Sequence, residues 1–522
     1  MAEKMVDRVM RITKTPQQIR NICTSAHIHH GKCVAPATRL LLTDGLAISA
    51  EQLYLRAEQQ GVKVRDDENE TVYDLSASPF EVFSLNKETG QIEKKNVSHA
   101  WRLQGGAAIG VKLRNGSEIT TTPEHKYIIL EEMQFVEKEA QDLKLGDRVV
   151  CARKLEVAVA KNRSLHDEVL TKLAAYPCYV RLHAAFGEKL KELVLQNGLK
   201  NVAAAFGQKN AKSFYHGIWQ YRYRLSILLQ LAQQFDFSLS ELYDQIDILS
   251  FRFTSKSTSE MKLPRDFSQL FYLAGLFFGD GSGKKFVVGK PELKERCMAF
   301  CEEMGVHATF VQPKNRTPEV LTNNSFVSLL QALFGYPIRK KSHSIQLNDF
   351  VFRAPQPYIA SFLKAYFDCD GTVEESRRAI SITSVSKQML KDVQLLLLRF
   401  GCTSIINDDT LYVSGISAQN YLRDIGFAVE TKKKKAQDLV RRVHGNQVTD
   451  RVPLSQKQLY TLRKVPMASI DHHYYKYEKE ILTPTLGTAL QLQQRFADLE
   501  LETNLLEKLT TGDLAFIEIL RI

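Results

Sequence analysis

The sequence lacks any apolar run long enough to span a bilayer, and its opening, MAEKMVDRVMRITKTPQQ, is too polar for a secretory signal. It has only eight cysteines (23, 33, 151, 178, 297, 301, 369, 402) and no paired Cys-x-x-Cys framework, which excludes a disulfide scaffold or a zinc ribbon. Cys297 and Cys301 have the spacing of one helix face and read as core. These absences predict a soluble chain in a reducing, cytoplasmic setting with no membrane partner. What is present is ordinary globular material, 44% hydrophobic and 25% charged over 522 residues, enough for roughly three or four domains. The net charge of +11 favours a polyanionic partner such as nucleic acid.

Residues 1–32 read as a polar helix and a strand, Arg20–Ser25, entering His30-Gly31-Lys32. A phosphate-binding loop needs Ser or Thr after Gly-Lys, because that hydroxyl ligates Mg²⁺. Cys33 stands there instead, a soft ligand for a hard cation, so His30, Gly31 and Lys32 form an incomplete nucleotide-binding loop. The stretch Thr15–Ile22 with Ala26–Lys32 resembles the beginning of elongation factor 2, with His29 where that family has Asp. Nothing downstream continues a GTPase. Asn86-Lys87-Glu88-Thr89 misses the guanine-reading motif at its last position, and Asp368-Cys369-Asp370-Gly371 fits Asp-x-x-Gly only in spacing. GTPase action in translation is therefore not expected of this chain as it stands. A metal site of His27, His29, His30 and Cys33 matches no standard zinc spacing.

From Cys33 to 158, short alternating runs broken by turn signals, such as Gly110–Leu113 before Asn115-Gly116, predict an all-β domain. A thiol at Cys33 can attack the preceding carbonyl, if a neighbouring site polarises that bond and protonates the leaving nitrogen. Gly116–His125 offers Thr122 and His125 for this work. Cys33–Leu42 and Gly116–His125 resemble the first two splicing blocks of inteins. That resemblance implies a horseshoe-like β fold, shared with the hedgehog autoprocessing domain. It makes Cys33 the nucleophile of an N–S acyl shift at Lys32–Cys33, assisted by Thr122 and His125 without a cofactor. An intein closes with His-Asn, which His472-His473-Tyr474 does not supply. The resemblance thus implies an amino-terminal half whose partner, in trans, carries His-Asn and the rest of the GTPase. The alternative is a splicing-dead remnant that retains DNA binding or cleavage.

Residues 159–258 read as helical and basic. Between Lys189 and Arg224, seven Lys/Arg (189, 191, 200, 209, 212, 222, 224) face one acid, Glu192. Aromatics are interleaved with them, and the turn at Val202–Gly207 resembles a helix-turn-helix. Lys189, Lys191, Lys200, Lys209, Lys212, Arg222 and Arg224 are candidate DNA contacts. The competing reading is a helical spacer whose aromatics are core.

Two copies of one motif follow in 259–440. Leu273–Gly281 and Leu363–Gly371 are each an apolar helix with small residues on one face, ending in Asp-Gly. Close packing would bring Asp280 and Asp370 together, where paired carboxylates can hold Mg²⁺ against scissile phosphates. The second copy alone also matches the Asp-x-Asp-Gly-Thr of haloacid-dehalogenase-type phosphatases, but its helical period before Asp368 and the existence of the first copy oppose that. The pair resembles the LAGLIDADG homing endonucleases, commonly embedded in inteins. That implies two αββαββα halves forming a saddle over double-stranded DNA, here the intein-free elongation factor 2 gene, with Asp280 and Asp370 as catalytic metal ligands. The family carries a Lys between its motifs where this chain has Ile345, which puts cleavage in doubt unless Lys340 or Lys341 substitutes. Lys432 and Lys433, in a run of four lysines, are candidate phosphate contacts. Residues 441–510 read as a helical extension and 511–522 as a strand returning to the splicing domain. The expected fold class is multidomain α+β: an all-β splicing domain, a pseudo-two-fold endonuclease and a helical DNA-recognition insert.

Overall fold

The computed structural model describes residues 19–24, 33–68, 70–104, 106–157, 164–205, 211–251, 259–338, 341–442 and 450–522. The expected α+β architecture is present. Residues 19–152 and the strand Leu514–Arg521 together form a curled antiparallel sheet of eleven strands among the described residues. Its order runs Gln134–Glu139, Lys126–Glu131, Arg148–Ala152, Leu514–Arg521, Ile109–Leu113, Glu118–Thr121, Cys33–Val34, Ile19–Thr24, His99–Gln104, Glu70–Asp74, Val62–Asp66. The returning strand thus lies between Arg148–Ala152 and Ile109–Leu113, and its apolar face (Ala515, Ile517, Ile519) closes a small core with Val111, Ile129 and Val149.

The sheet departs from expectation twice. The β domain contains a helix, Ala50–Gln60, begun by a capping box in which Ser49 and Gln52 satisfy each other's backbone N–H groups. And Ile19–Thr24, expected to belong to a separate leading segment, pairs with Cys33–Val34 and, over six residues, with His99–Gln104. The helices of the tail, Gln456–Arg463, Leu486–Asp498 and Asn504–Thr510, pack on the hairpin around Leu130 and Met133. The Arg153 guanidinium pins the same junction, pairing with buried Asp450 and donating to the Leu514 carbonyl.

The two motif copies open two halves of the same topology. Helix Phe267–Asp280 leads to strands Gly281–Ser282 and Lys285–Val287, helix Pro291–Glu303, strands Thr309–Val311 and Glu319–Leu321, and helix Asn324–Phe334. Helix Gln356–Asp370 leads to Gly371–Glu374 and Ala379–Thr383, Lys387–Leu397, Ser404–Asn407 and Thr410–Ser414, and Ile416–Asp424. Both four-stranded sheets have the same strand order, so the αββαββα repeat is observed. Cys297 and Cys301 are both buried in the helix predicted from their spacing.

The region before the two αββαββα halves is not simply helical. Its helices surround a three-stranded antiparallel sheet, Arg222–Arg224, Tyr179–Leu182 and Ile246–Ser250. Helical period at Leu182–Asn197 and Tyr223–Phe235 ran through strand ends, because buried residues such as Leu182 and Tyr223 serve either period. Its core is continuous with that of the two halves. No described helix is long and apolar enough to cross a membrane.

Candidate functional site

The two motif helices lie side by side, and glycine sets their approach. A Cβ on Gly275 would lie 2.3 Å from the Phe362 carbonyl oxygen and 2.8 Å from Ala365 Cβ; one on Gly279 would lie 2.5 Å from Cys369 Cβ. Residues 275 and 365, and 279 and 369, are therefore repeat-related pairs meeting at the seam, a glycine against a slightly larger residue each time. Both helices stop at glycine, with the Gly281 and Gly371 N–H groups closing on Phe277 and Phe367.

That geometry delivers Asp280 and Asp370 to one place. Burial raises the pKa of Asp280, opposed by a hydrogen bond from the Cys369 thiol and by the Lys341 and Lys432 ammoniums. Asp370 is exposed as a residue, yet the protein crowding its carboxyl, and then the charge of Asp280, push it up to about 6. The charge of Asp280 thus raises the proton affinity of Asp370, while Lys341 and Lys432 lower that of both. No group of three or more His, Cys, Asp or Glu side chains forms a metal cluster among the described residues. Two carboxylates suffice for a hard divalent ion that keeps waters and takes phosphate oxygens as its remaining ligands.

Lys341 and Lys432 complete the arrangement. Lys341 Nζ donates to the carbonyls of Phe277 (3.3 Å), Phe278 (3.0 Å) and Gly279. Lys432 Nζ donates to those of Phe367 (3.1 Å), Asp368 (2.6 Å) and Cys369 (3.3 Å). Each ammonium thus caps the negative end of one motif helix. Burial lowers the pKa of both, and the neighbouring carboxylates pull it back up.

Ile345 is a core residue, and Lys341, one of its two candidate substitutes, is the lysine found on the helix end; Lys340 lies outside the described residues. One expectation is corrected. Lys432 is not a free phosphate contact, since its ammonium is committed to the helix end, whereas Lys433 pairs with Glu430 at 3.2 Å on the surface. The offset from Lys341 to Lys432 is 91 positions, almost that between the aspartates, and this repeat was the available signal. Asp368, whose chain position suggested a phosphatase nucleophile, is buried in a helix. It accepts hydrogen bonds from Ala428 and Val429 N–H, holding the turn that delivers Lys432.

At the other candidate centre Cys33 is fully buried, and its carbonyl accepts the Thr122 N–H at 3.2 Å. Ala35 N–H donates to Thr120 O at 2.8 Å, and Val34 pairs with Thr121. His125 follows on the same turn, its N–H on Thr122 O at 3.1 Å and its ring 5.1 Å from that of Tyr127. The three residues chosen from sequence thus lie together where Glu118–Thr121 and the turn after it meet Cys33–Val34, in the middle of the sheet. Lys32, on the far side of the reacting bond, and His30 and Gly31 lie outside the described residues.

The basic stretch divides. Lys189, Lys200 and Arg224 are exposed. Lys191 is buried, pairing with Glu188 at 2.5 Å and lying 4.2 Å from the Trp219 ring centroid, and Arg222 pairs with Glu260 at 3.7 Å. These two are structural cations rather than exposed phosphate ligands. Lys209 lies outside the described residues, and Lys212 falls in helix Ala211–Trp219. The aromatic ladder is partly surface, with Tyr215 and Trp219 exposed and their centroids 5.8 Å apart.

Residues 357–426, which contain the second motif, match the family model of the LAGLIDADG-like domain. Elongation factor 2 of Methanopyrus kandleri is 35% identical over 530 residues, covering all of this chain and 42% of that protein. A probable translation initiation factor IF-2 of Thermococcus kodakarensis is 27% identical, covering 88% of this chain and 38% of its own length. The chain therefore spans less than half the length of either relative. Among solved structures, the PabCDC21-1 intein (26% identity, 24% of this chain, 76% of that one, TM-score 0.22) and the homing endonuclease I-DmoI in complex with DNA and Mn (16%, 31%, 98%, 0.24) are similar locally. Residues 357–426 thus carry a LAGLIDADG-like domain, joined to a curled β sheet. The whole chain is similar to part of an elongation factor 2.

Proposed function

We propose that this chain is bifunctional, combining the acyl-shift centre of an intein with a metal-dependent homing endonuclease that cuts double-stranded DNA of the intein-free elongation factor 2 gene. The observation carrying the nuclease half is the meeting of Asp280 and Asp370 between the Lys341 and Lys432 ammoniums. Asp280 and Asp370 would hold the divalent ion, Mg²⁺ by the chemistry of the donors, which supplies water activation and leaving-oxygen stabilisation when bound. Lys341 and Lys432, already anchored on the helix ends, place positive charge where phosphates would lie. Burial lowers the proton affinity of both, and the neighbouring carboxylates oppose that. Lys189, Lys200, Arg224 and Lys433 would add backbone contacts that fix register without reading sequence.

For splicing, the Cys33 Sγ–C bond to the Lys32 carbonyl forms as the C–N bond breaks, and the thiol proton ends on the freed α-amine of Cys33. Thr122 lies against Cys33 and His125 close behind. The two relatives bear the names of different translation factors yet match almost the same whole chain. A sequence shared across such hosts supports a transferable element rather than either host's activity. The cytoplasm is the setting of this reading.

Incubation with the uninterrupted gene should give Mg²⁺-dependent double-strand cutting, abolished in Asp280→Asn/Asp370→Asn; cutting that persists in the double variant sinks the assignment. Thiol treatment should release residues 1–32 from the parent and not from Cys33→Ala. Absence of release, with cutting intact, selects the splicing-dead endonuclease.

A further inference from the structure

The hairpin Ile109–Leu113/Glu118–Thr121 has two ends with different company. Its base holds the nucleophile strand, through Ala35 N–H on Thr120 O and Thr122 N–H on Cys33 O. Its tip, Asn115-Gly116, leaves the splicing sheet and docks on the edge strand of the second endonuclease half. There Ile406 N–H donates to Asn115 O at 3.0 Å, and Gln394 Nε2 donates to the same oxygen at 3.1 Å and to Ser404 O at 3.1 Å. The docking is close, for a Cβ on Gly116, whose φ is +85°, would lie 2.4 Å from the Ile406 carbonyl oxygen. The helix that carries Gln394, Lys387–Leu397, also carries buried Asp392. Asp392 takes the Arg39 guanidinium from the splicing domain on one side and the Leu347 N–H on the other. Leu347 belongs to the segment that brings Lys341 to the nuclease centre.

We propose that Gln394, through the Asn115–Gly116 tip, positions Thr122 on Cys33, so that the second αββαββα half braces the acyl-shift centre from the far end of the hairpin. The physical reason lies in unequal support. The hairpin's outer strand is held by Leu514–Arg521 at Lys112 and Leu113, with Arg114 N–H on Glu518 O at 2.9 Å, whereas the neighbour of its inner strand, Cys33–Val34, is only two residues long. Alignment of the inner strand at its base therefore draws on what fixes the tip. Six residues separate Gly116 from Thr122, about 20 Å of extended chain, short enough to transmit a shift at one end to the other. This role rests on the splicing reading given above.

The test uses the full chain with Gln394→Met, which keeps the volume and removes both donated hydrogen bonds, and Gly116→Ala, which wedges the tip from Ile406. Hydrogen exchange at the Ala35 and Thr122 amides is expected to rise about tenfold, the factor for losing roughly one hydrogen bond. Thiol-driven release of residues 1–32 should slow by a similar factor, while Mg²⁺-dependent DNA cutting stays within about twofold of the parent. Gln394→Lys, which retains a donor, should recover most of the release rate. Because Gly116→Ala can disturb folding, Gln394→Met decides: unchanged exchange at both amides overturns the inference. Exchange that rises in a chain whose parent releases nothing with thiol removes the splicing reading and leaves the positioning contact standing.

Discussion

The two halves of the endonuclease domain solve one problem with different residues. Each ends a helix in Asp-Gly and caps that helix with a lysine from beyond its own αββαββα unit. In the first half the seam position before the acid is glycine, Gly279; in the second it is Cys369, whose thiol reaches across to the first half's carboxylate. Asp280 therefore has a donor that Asp370 lacks, and Asp370 is the one driven to about 6. The second half has one further device, Asp368 fixing the turn before Lys432, where the first has Phe278 in the core. A repeat can thus keep its chemistry while the supports diverge. The parts that must match are those touching the shared point.

The sharpest way to break this symmetry is through the lysines. If Lys341 and Lys432 are equivalent, Lys341→Met and Lys432→Met should each lower the single-turnover cutting rate by about 10²-fold, as loss of one charge-stabilising group does. Lys433→Met, two-sided in solvent beside Glu430, should change it by less than about twofold. A Lys432→Met variant that cuts like the parent would show that only the first half's lysine matters.

Why one lysine was legible and the other was not has a physical basis. Lys341 stands in Arg339-Lys340-Lys341, a short run to which Ile345 drew attention. Lys432 stands in Lys-Lys-Lys-Lys, where composition predicts a solvated face, and only tertiary packing selects the member that turns inward. The same limit applies at the basic stretch, where Lys191 and Lys189 differ by burial on one helix. Asp280, Asp370, Cys33, Thr122 and His125 were found because their motifs include the backbone constraint, a glycine or a turn, as well as the reactive group. Even among turns, Asn115-Gly116 announced its hairpin, while Glu132 and Met133, with φ of 50° and 60°, make theirs without any of the residues that favour it. The Ile19–Thr24 pairing was hidden for a related reason, since register to His99–Gln104 is long-range information.

Smaller in effect is the seam itself. Gly275→Ala places a methyl against the backbone of the partner helix at Phe362, so the helices must separate. We expect a loss of about 2 kcal/mol in denaturant unfolding, typical of overpacking. The repeat-related Ala365→Gly removes a methyl from the other side of the same contact, and in the double variant should recover part of that loss. Additive losses would mean that residues 275 and 365 do not share one contact across the axis.

The smallest effect tests the difference between the carboxylates directly. A carboxyl with a folded pKa of about 6 and an unfolded value of about 3.9 binds protons more tightly when folded, so its ionisation opposes folding. Its contribution to stability is fully present below the unfolded value and is lost as pH rises through about 6. In EDTA at pH 8, Asp370→Asn should therefore be more stable than the parent, by about 1 kcal/mol once solvent screening of this exposed residue is allowed for. The gain should shrink between about pH 6 and pH 4, and Mg²⁺ should erase it by stabilising the parent instead. Asp280→Asn should gain less, because the Cys369 thiol already favours its ionised form. The parent's Mg²⁺-dependent cutting should fall as pH drops through about 6, where Asp370 takes up its proton. A melting temperature that Asp370→Asn leaves unchanged or lowers at pH 8 would mean that the two carboxylates do not strain each other, and that their rate effects must come from elsewhere.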